Sequence, residues 1–152
     1  MSTNSVHPLT MDDPHFYLMD RIMKEVKSLT KDLFGKEGVE ITVDQWTILK
    51  AIAEREGSSQ QEISEMTLRE PAAITRMLCH LRRFGLVVRS VDRDDKRKQL
   101  LYLSDEGWAM YEKVFPIVAG LRQRSLNRFT KDDRHNLCLH LQTMLEAIYD
   151  HP

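Results

Sequence analysis

EPAAITRMLCHLRRFGLVVRSVDRDDKRKQLLYLSDEG, residues 70–107, decides the fold. Pro71 suits the first turn of a helix. Ile74, Leu78 and Leu81 then recur at helical spacing to Phe84, and Gly85 is well placed just past the helix end. Leu86-Val87-Val88-Arg89 reads as a strand and Gln99–Leu103 as its partner, with the charged loop DRDDKRK (residues 92–98) between them. Ser104 begins another helix. An amphipathic helix followed at once by a charged hairpin is the order of parts that places a helix in a DNA major groove and a wing in the flanking minor groove.

Upstream, Thr42 with Gln45 and Ser59 with Glu62 form two capping-box patterns. The first opens a helix with Trp46, Leu49, Ile52 and Ala53 on its apolar side, stopped at Gly57. The second opens a short helix from Gln60 to about Met66, with Ile63 and Met66 inward. Before these, Asp13-Pro14 looks like a helix start, and Leu18, Ile22, Val26, Leu29 and Leu33 recur to Phe34, with Gly35 and Gly38 as stops. Downstream, a long helix is expected from Asp105 to Phe129, kinked at Pro116. Thr130 and Asp133 start a last helix whose Leu137, Leu141, Leu145 and Ile148 make a seam at near-heptad spacing.

The expected fold is therefore mainly α with a small β-hairpin wing. A winged helix-turn-helix domain over 41–103 is joined to helices at 13–40 and 104–152, after a polar, mobile segment at 1–12. The compact middle does not need the terminal helices for its own core. They are expected to build a symmetric homodimer, with completion of a monomeric bundle as the alternative.

The chain has 152 residues, room for one domain with a helical appendage. It contains no apolar run of about 18 residues that would span a membrane and no visible signal peptide, so the expected location is the cytoplasm. Cys79 and Cys138 fall in predicted helices and read as free, buried, inert thiols. The formal net charge is −1, yet residues 69–98 hold nine Lys/Arg against four Asp/Glu. Such asymmetry is the footprint of phosphate binding. A solvated loop gives the same count, so charge alone leaves both readings open.

These residues resemble the MarR-type transcriptional regulators, which are winged helix-turn-helix dimers. The likeness runs from about Asp13 to Tyr149 and is strongest from Thr42 to Gly107. It rests on Ile74-Thr75-Arg76, Leu81, Gly85-Leu86-Val87 and Arg89, then on Asp95-Lys96-Arg97, the apolar strand Leu100–Leu103, Ser104 and Gly107. Ser104 replaces the family's Thr with the same capping chemistry. The resemblance implies a sequence-specific regulator of double-stranded DNA, a repressor in expectation, bound to a pseudo-palindromic operator. It also implies a small aromatic or lipophilic effector held between the dimer layer and the DNA domain. A winged-helix module for protein contact, without ligand control, is the alternative.

On the helix from Pro71, the outward residues are Ala72, Ala73, Arg76 and His80. Small Ala72 and Ala73 let it seat deeply in a groove, and Arg76 is the candidate base reader. Thr75 is placed to bond a phosphate or, equally, to bond back to its own helix. Ser58, Ser59 and Gln60 stand at a helix N-terminus, where free N–H groups suit a phosphate, although Ser59 also reads as a plain cap. Arg69 precedes the recognition helix and is placed to reach the DNA backbone. In the wing, Arg97 is the expected minor-groove probe, with Arg93, Lys96 and Lys98 on phosphates. The resemblance implies that Asp95 buttresses Arg97 by a salt bridge; a turn-forming Asp is the alternative. Arg89 is read as pairing internally.

Tyr17, Trp46 and Trp108 are candidate effector-lining residues, with Met19 and Met23 as adaptable packing; each also reads as core. His135, Cys138 and His140 do not converge on one helix face, so no metal is expected. No cofactor is expected either. There is no phosphate loop, GxSxG or HExxH motif, so the reading is not that of an enzyme.

Overall fold

The computed structural model describes residues 14–150; Asp13 and the segment 1–12 lie outside them. The chain divides into two compact units, Met1–Ile117 and Val118–Pro152. Among the described residues six helices and three strands follow in the order α1 (Pro14–Lys36), α2 (Val43–Glu54), β1 (Ser58–Ser59), α3 (Gln60–Thr67), α4 (Pro71–Arg83), β2 (Val87–Val91), β3 (Gln99–Leu103), α5 (Asp105–Ser125) and α6 (Lys131–Tyr149). Among the described residues no helix is long and apolar enough to cross a membrane.

The first unit is built on α2, α3 and α4. Thr42 and Ser59 cap α2 and α3 in full capping boxes with Gln45 and Glu62, as their spacing predicts. Ile48, Leu49 and Ile52 of α2, Ile63 of α3, and Ile74, Leu78 and Leu81 of α4 are all fully buried. Each such side chain contributes about 1.5–3 kcal/mol by leaving water. Met66 does not join them; at 40% exposed it points outward, contrary to expectation. Eight residues give α3 little more than two turns, and its buried residues are Ile63 and Ser64.

The turn between α3 and α4 is held by Ser64, whose hydroxyl donates to the Arg69 carbonyl while the Arg69 N–H donates to Ser64 O. Leu68 lies there at φ +53°, the left-handed region that non-glycine residues rarely enter. Gly85, at φ +70°, ends α4 as expected. By contrast α1 continues through Gly35 to Lys36. One glycine costs a helix only about 1 kcal/mol, and Glu37 N–H still reaches Leu33 O.

The hairpin β2–β3 forms in the register Val87–Leu103, Arg89–Leu101 and Val91–Gln99. Its partner strand matches the sequence reading, and its first strand begins one residue later and runs two further. The two residues of β1 add a third strand to β3, in the order β1-β3-β2. Ser58 and Ser59 therefore serve the sheet as well as the start of α3.

Ser104 binds the base of this sheet. Its backbone N–H donates to Leu86 O, its hydroxyl donates to Gly85 O, and that hydroxyl accepts the N–H of Gly107. A Cβ on Gly107 would fall 2.1 Å from the Leu86 carbonyl oxygen. The glycine in the Leu-Ser-x-x-Gly pattern is thus demanded by backbone approach. Overpacking of this kind costs about 1–3 kcal/mol. Gly107→Ala is expected to lower unfolding free energy by about that amount, read from the midpoint of a urea titration; an unchanged midpoint would refute the close approach.

In the second unit, α6 is capped by Thr130 and Asp133 as predicted, and none of its described residues is buried. Leu137, Leu139, Leu141, Leu145 and Ile148 are exposed by 38–58%. In α1, Leu18, Ile22 and Leu29 are likewise exposed, by 42–56%. Cys79 and Cys138 are free but exposed, which corrects the expectation of buried thiols. Both sit on outward faces of their helices: the buried stripe of α4 is taken by Ile74, Leu78 and Leu81.

Candidate nucleic-acid interface

The amphipathic pattern of α4 leaves Ala72, Thr75, Arg76 and His80 exposed and Ala73 half-buried, so the face predicted for base contact is open. Thr75 donates to Pro71 O at 3.0 Å, the back-bond weighed above, and also accepts from Gln60 Nε2 at 2.6 Å. Gln60 in turn accepts from Arg89 Nη2 at 3.3 Å, and Arg89 Nη1 donates to Gln99 Oε1 at 3.0 Å. One amide side chain thereby joins the start of α3, the recognition helix and the wing strand. Arg89 pairs internally, as expected. The Gln60 link escaped the sequence reading because its partners lie 15 and 29 residues away.

Ser59, Gln60 and Gln61 face Asp95, Arg97, Lys98 and Gln99 across an open cleft of about 490 Å³. The wing base and the N-terminus of α3 therefore meet. Two predicted contacts are corrected. Ser58 is 2% exposed and donates its hydroxyl to Arg55 O, so it has no path to a phosphate. Arg69 donates to Asp44 at 2.6 Å, an internal bond that holds the turn rather than a free reach to DNA. Ser59 acts as the cap of α3: its hydroxyl accepts from Glu62 N–H and its own N–H donates to the Glu62 carboxylate. Hydrogen bonding of its carboxylate to the Ser59 backbone N–H and, next, to the Ser59 side chain holds the Glu62 pKa below its ordinary value.

The wing's acids organise its turn. Asp92 Oδ1 accepts the N–H groups of Asp94 and Asp95, and Asp95 Oδ1 accepts the N–H of Arg97 at 3.0 Å. The expected Asp95–Arg97 salt bridge is absent among the described residues, and the turn-forming alternative holds. The backbone bonds to Asp92 keep its pKa low. Because these carboxylates face the backbone, the wing cations stay unneutralised. The ion pairs among the described residues are Arg21–Glu25, Lys24–Asp20, Lys27–Asp44, Lys50–Glu54, Arg55–Glu62 and Arg69–Asp44. Arg76, Arg93, Lys96, Arg97 and Lys98 belong to none of them, and all five are exposed.

The effector candidates lie elsewhere in the first unit. Trp46 is 3% exposed, and its ring lies 5.5 Å from Tyr111; Trp108 packs edge-on against the same ring at 5.5 Å, and Phe115 stacks on it at 5.4 Å. Trp46 thus packs as core, while Trp108 is half-buried. Tyr17 is half-buried in α1.

Fold and charged face together define a winged helix-turn-helix protein. Residues 41–98 match the model of the MarR family. Transcriptional regulator HosA of Escherichia coli O111:H- is 26% identical over 108 residues, which is 71% of this chain and 80% of HosA. The S. aureus MepR–DNA complex superposes with a TM-score of 0.80 at 21% identity, covering 88% of this chain and 96% of that one. CouR from Rhodococcus jostii RHA1 bound to p-coumaroyl-CoA gives 0.75 at 20% identity, with 92% and 94% covered. Residues 41–98 thus carry the likeness to the MarR family, and the fold is the one these winged-helix neighbours share.

Asp44 links α1, α2 and the turn before α4. Lys27 Nζ lies 3.0 Å from both its oxygens and Arg69 Nη2 2.6 Å from one. Burial pushes its carboxyl upward, but the Lys27 bond and the charges of Arg69 and Lys27 outweigh this and hold it below its ordinary 3.8. A carboxylate depressed on folding stabilises the protein above its unfolded pKa, and that stability is lost as pH falls through the folded value. Asp44→Asn is therefore expected to lower the melting temperature at neutral pH and to narrow the gap from wild type below pH 3.8; a gap constant with pH would refute the charge role.

Proposed function

We propose that the protein is a homodimeric, sequence-specific repressor that binds a pseudo-palindromic operator and releases it in response to a small lipophilic effector. The observation that carries the DNA part is the cluster of exposed cations on α4 and the wing, among them Arg76, Arg93, Lys96, Arg97 and Lys98, none of which is in an ion pair among the described residues. In this reading Arg76 contacts a base edge, Ala72 and Ala73 allow close approach, and Thr75 and His80 flank the groove. Arg97 enters the minor groove while Arg93, Lys96 and Lys98 meet phosphates. The MepR neighbour bound to DNA supports the docking mode, and CouR bound to p-coumaroyl-CoA supports effector control.

The dimer rests on the exposed apolar faces of α1 and α6. A 19-residue helix with no buried side chain gains little from propensity alone and depends on packing of its apolar face. A second copy supplies that packing and presents the two recognition helices to two half-sites. The protein-contact alternative predicts no salt-dependent DNA binding.

Arg97→Ala is expected to weaken operator binding by about 1–3 kcal/mol and reduce the salt slope by about 1, without a change in thermal stability. Arg76→Ala is expected to cost a similar amount and to relax preference at one position per half-site, measured on operator variants by fluorescence anisotropy. A uniform loss across all sequences would make Arg76 a phosphate contact. Sedimentation at micromolar concentration is expected to show a dimer, and Leu141→Glu with Leu145→Glu to shift it toward monomer; a wild-type monomer would sink this architecture.

A further inference from the structure

The hydrogen bonds around Thr75 fix which protons its neighbours have left to give. Arg89 Nη2 lies 3.3 Å from Gln60 Oε1, and Arg89 Nη1 lies 3.0 Å from Gln99 Oε1. A guanidinium has donors only, so each amide must turn its oxygen to it. The opposite orientation of Gln60 would set N–H against N–H. With Oε1 held by Arg89, Gln60 presents Nε2 to Thr75 Oγ1 at 2.6 Å and donates to it. The single proton of the Thr75 hydroxyl then goes to the Pro71 carbonyl, which only accepts, at 3.0 Å.

Donation therefore runs one way, from Arg89 through Gln60 and Thr75 to Pro71. It starts on the wing strand β2 and ends in the first turn of α4. Among the described residues the Thr75 hydroxyl makes no other bond. One of its lone pairs is taken by Gln60 and the other is free, while its proton is already committed. Thr75 is exposed, so the free lone pair is open to a ligand.

That polarity selects what the hydroxyl is able to meet. A phosphate oxygen only accepts, so it gains nothing from Thr75 unless the bond to Pro71 breaks. A donor suits the free lone pair. In the major groove the base donors are the amino groups of adenine and cytosine, whereas guanine O6 and thymine O4 accept. Arg76, the next residue, offers donors only. Neighbouring side chains of α4 thus ask opposite things of the groove.

We propose that Thr75 is a specificity residue that accepts a hydrogen bond from the exocyclic amino group of an adenine or cytosine, and that Gln60 is the positioning residue that holds its hydroxyl in place. This role rests on the DNA binding proposed above and names the chemistry that α4 selects. Threonine in a helix divides between two χ1 rotamers. Without the Gln60 donor the hydroxyl is no longer fixed in one of them, and the preference for an amino group falls.

The test begins with duplexes that the full chain selects from a randomised pool. Each adenine of the selected site is replaced in turn by purine, which lacks the 6-amino group. Each cytosine is replaced by 2-pyrimidinone, which lacks the 4-amino group. Affinities are read by fluorescence anisotropy. At one position per half-site the deletion is expected to weaken wild type about three- to tenfold, the worth of one hydrogen bond, and to leave Thr75→Val unaffected. Weakened pairing in the modified duplex acts on every variant alike and cancels in this comparison. Thr75→Ser is expected to keep the dependence, and Gln60→Ala to reduce it to about twofold or less. In the free chain Thr75→Val is expected to move one Gln60 Nε2–H resonance upfield.

Equal effects on wild type and Thr75→Val at every position overturn the acceptor role. So does a loss on Thr75→Val that is uniform across sequences, the mark of a phosphate contact. Full dependence retained in Gln60→Ala overturns the positioning role. Unmoved Gln60 resonances overturn the chain of bonds itself. If no duplex is selected under any condition, the proposed function fails and the base contact with it; the resonances still decide the chain of bonds.

Discussion

The carbonyl of Leu86 is the point on which the joined α4 and wing depend. It accepts the Ser104 N–H, while the neighbouring Gly85 carbonyl accepts the Ser104 hydroxyl and Gly107 packs against Leu86 without a side chain. The end of α4, the roots of both wing strands and the first turn of α5 are thereby bound within a few ångströms. A two-stranded hairpin is marginal by itself in water. Here it is closed at its root by Ser104, widened by β1 and tied to α4 through Gln60 and Arg89. Wing and α4 are held as one surface, which is what the proposed docking into two grooves at once requires.

Charge is distributed by the same economy of partners. Near-zero net charge would discourage a nucleic-acid reading if charges were scattered at random. Instead two of the wing's three acids, Asp92 and Asp95, turn to its own backbone and fix the turn. The cations beside them remain exposed. What attracts a polyanion is then a local excess of unpaired cations rather than the overall balance.

Much of this was legible in local pattern. The caps at Thr42, Ser59 and Thr130, the stripe Ile74–Leu78–Leu81, the glycine after α4 and the strand Gln99–Leu103 are short-range features, and each formed where its spacing placed it. What escaped depended on distant partners. Strand β1 is two serines whose pairing is set by Leu100 and Leu101, some 40 residues on. Arg69 looked free because its acceptor, Asp44, lies 25 residues earlier. Ser58 resembled a phosphate contact until the sheet buried it. Asp95 chose the N–H of Arg97 over its side chain, and a motif alone does not separate those two bonds. The inward reading of Met66 and of the two cysteines assumed wider apolar faces than these helices bury.

Lys27, Asp44 and Arg69 come from three separate stretches of the chain yet share one carboxylate. Substitution effects at such positions do not add. Loss of Asp44 strands two cations at once, whereas loss of either cation leaves the carboxylate satisfied by the other. The three sites are therefore an epistatic unit: change is tolerated first at either base, and at the acid only after a base has gone. The order in which this network is able to vary over evolutionary time is written into its geometry.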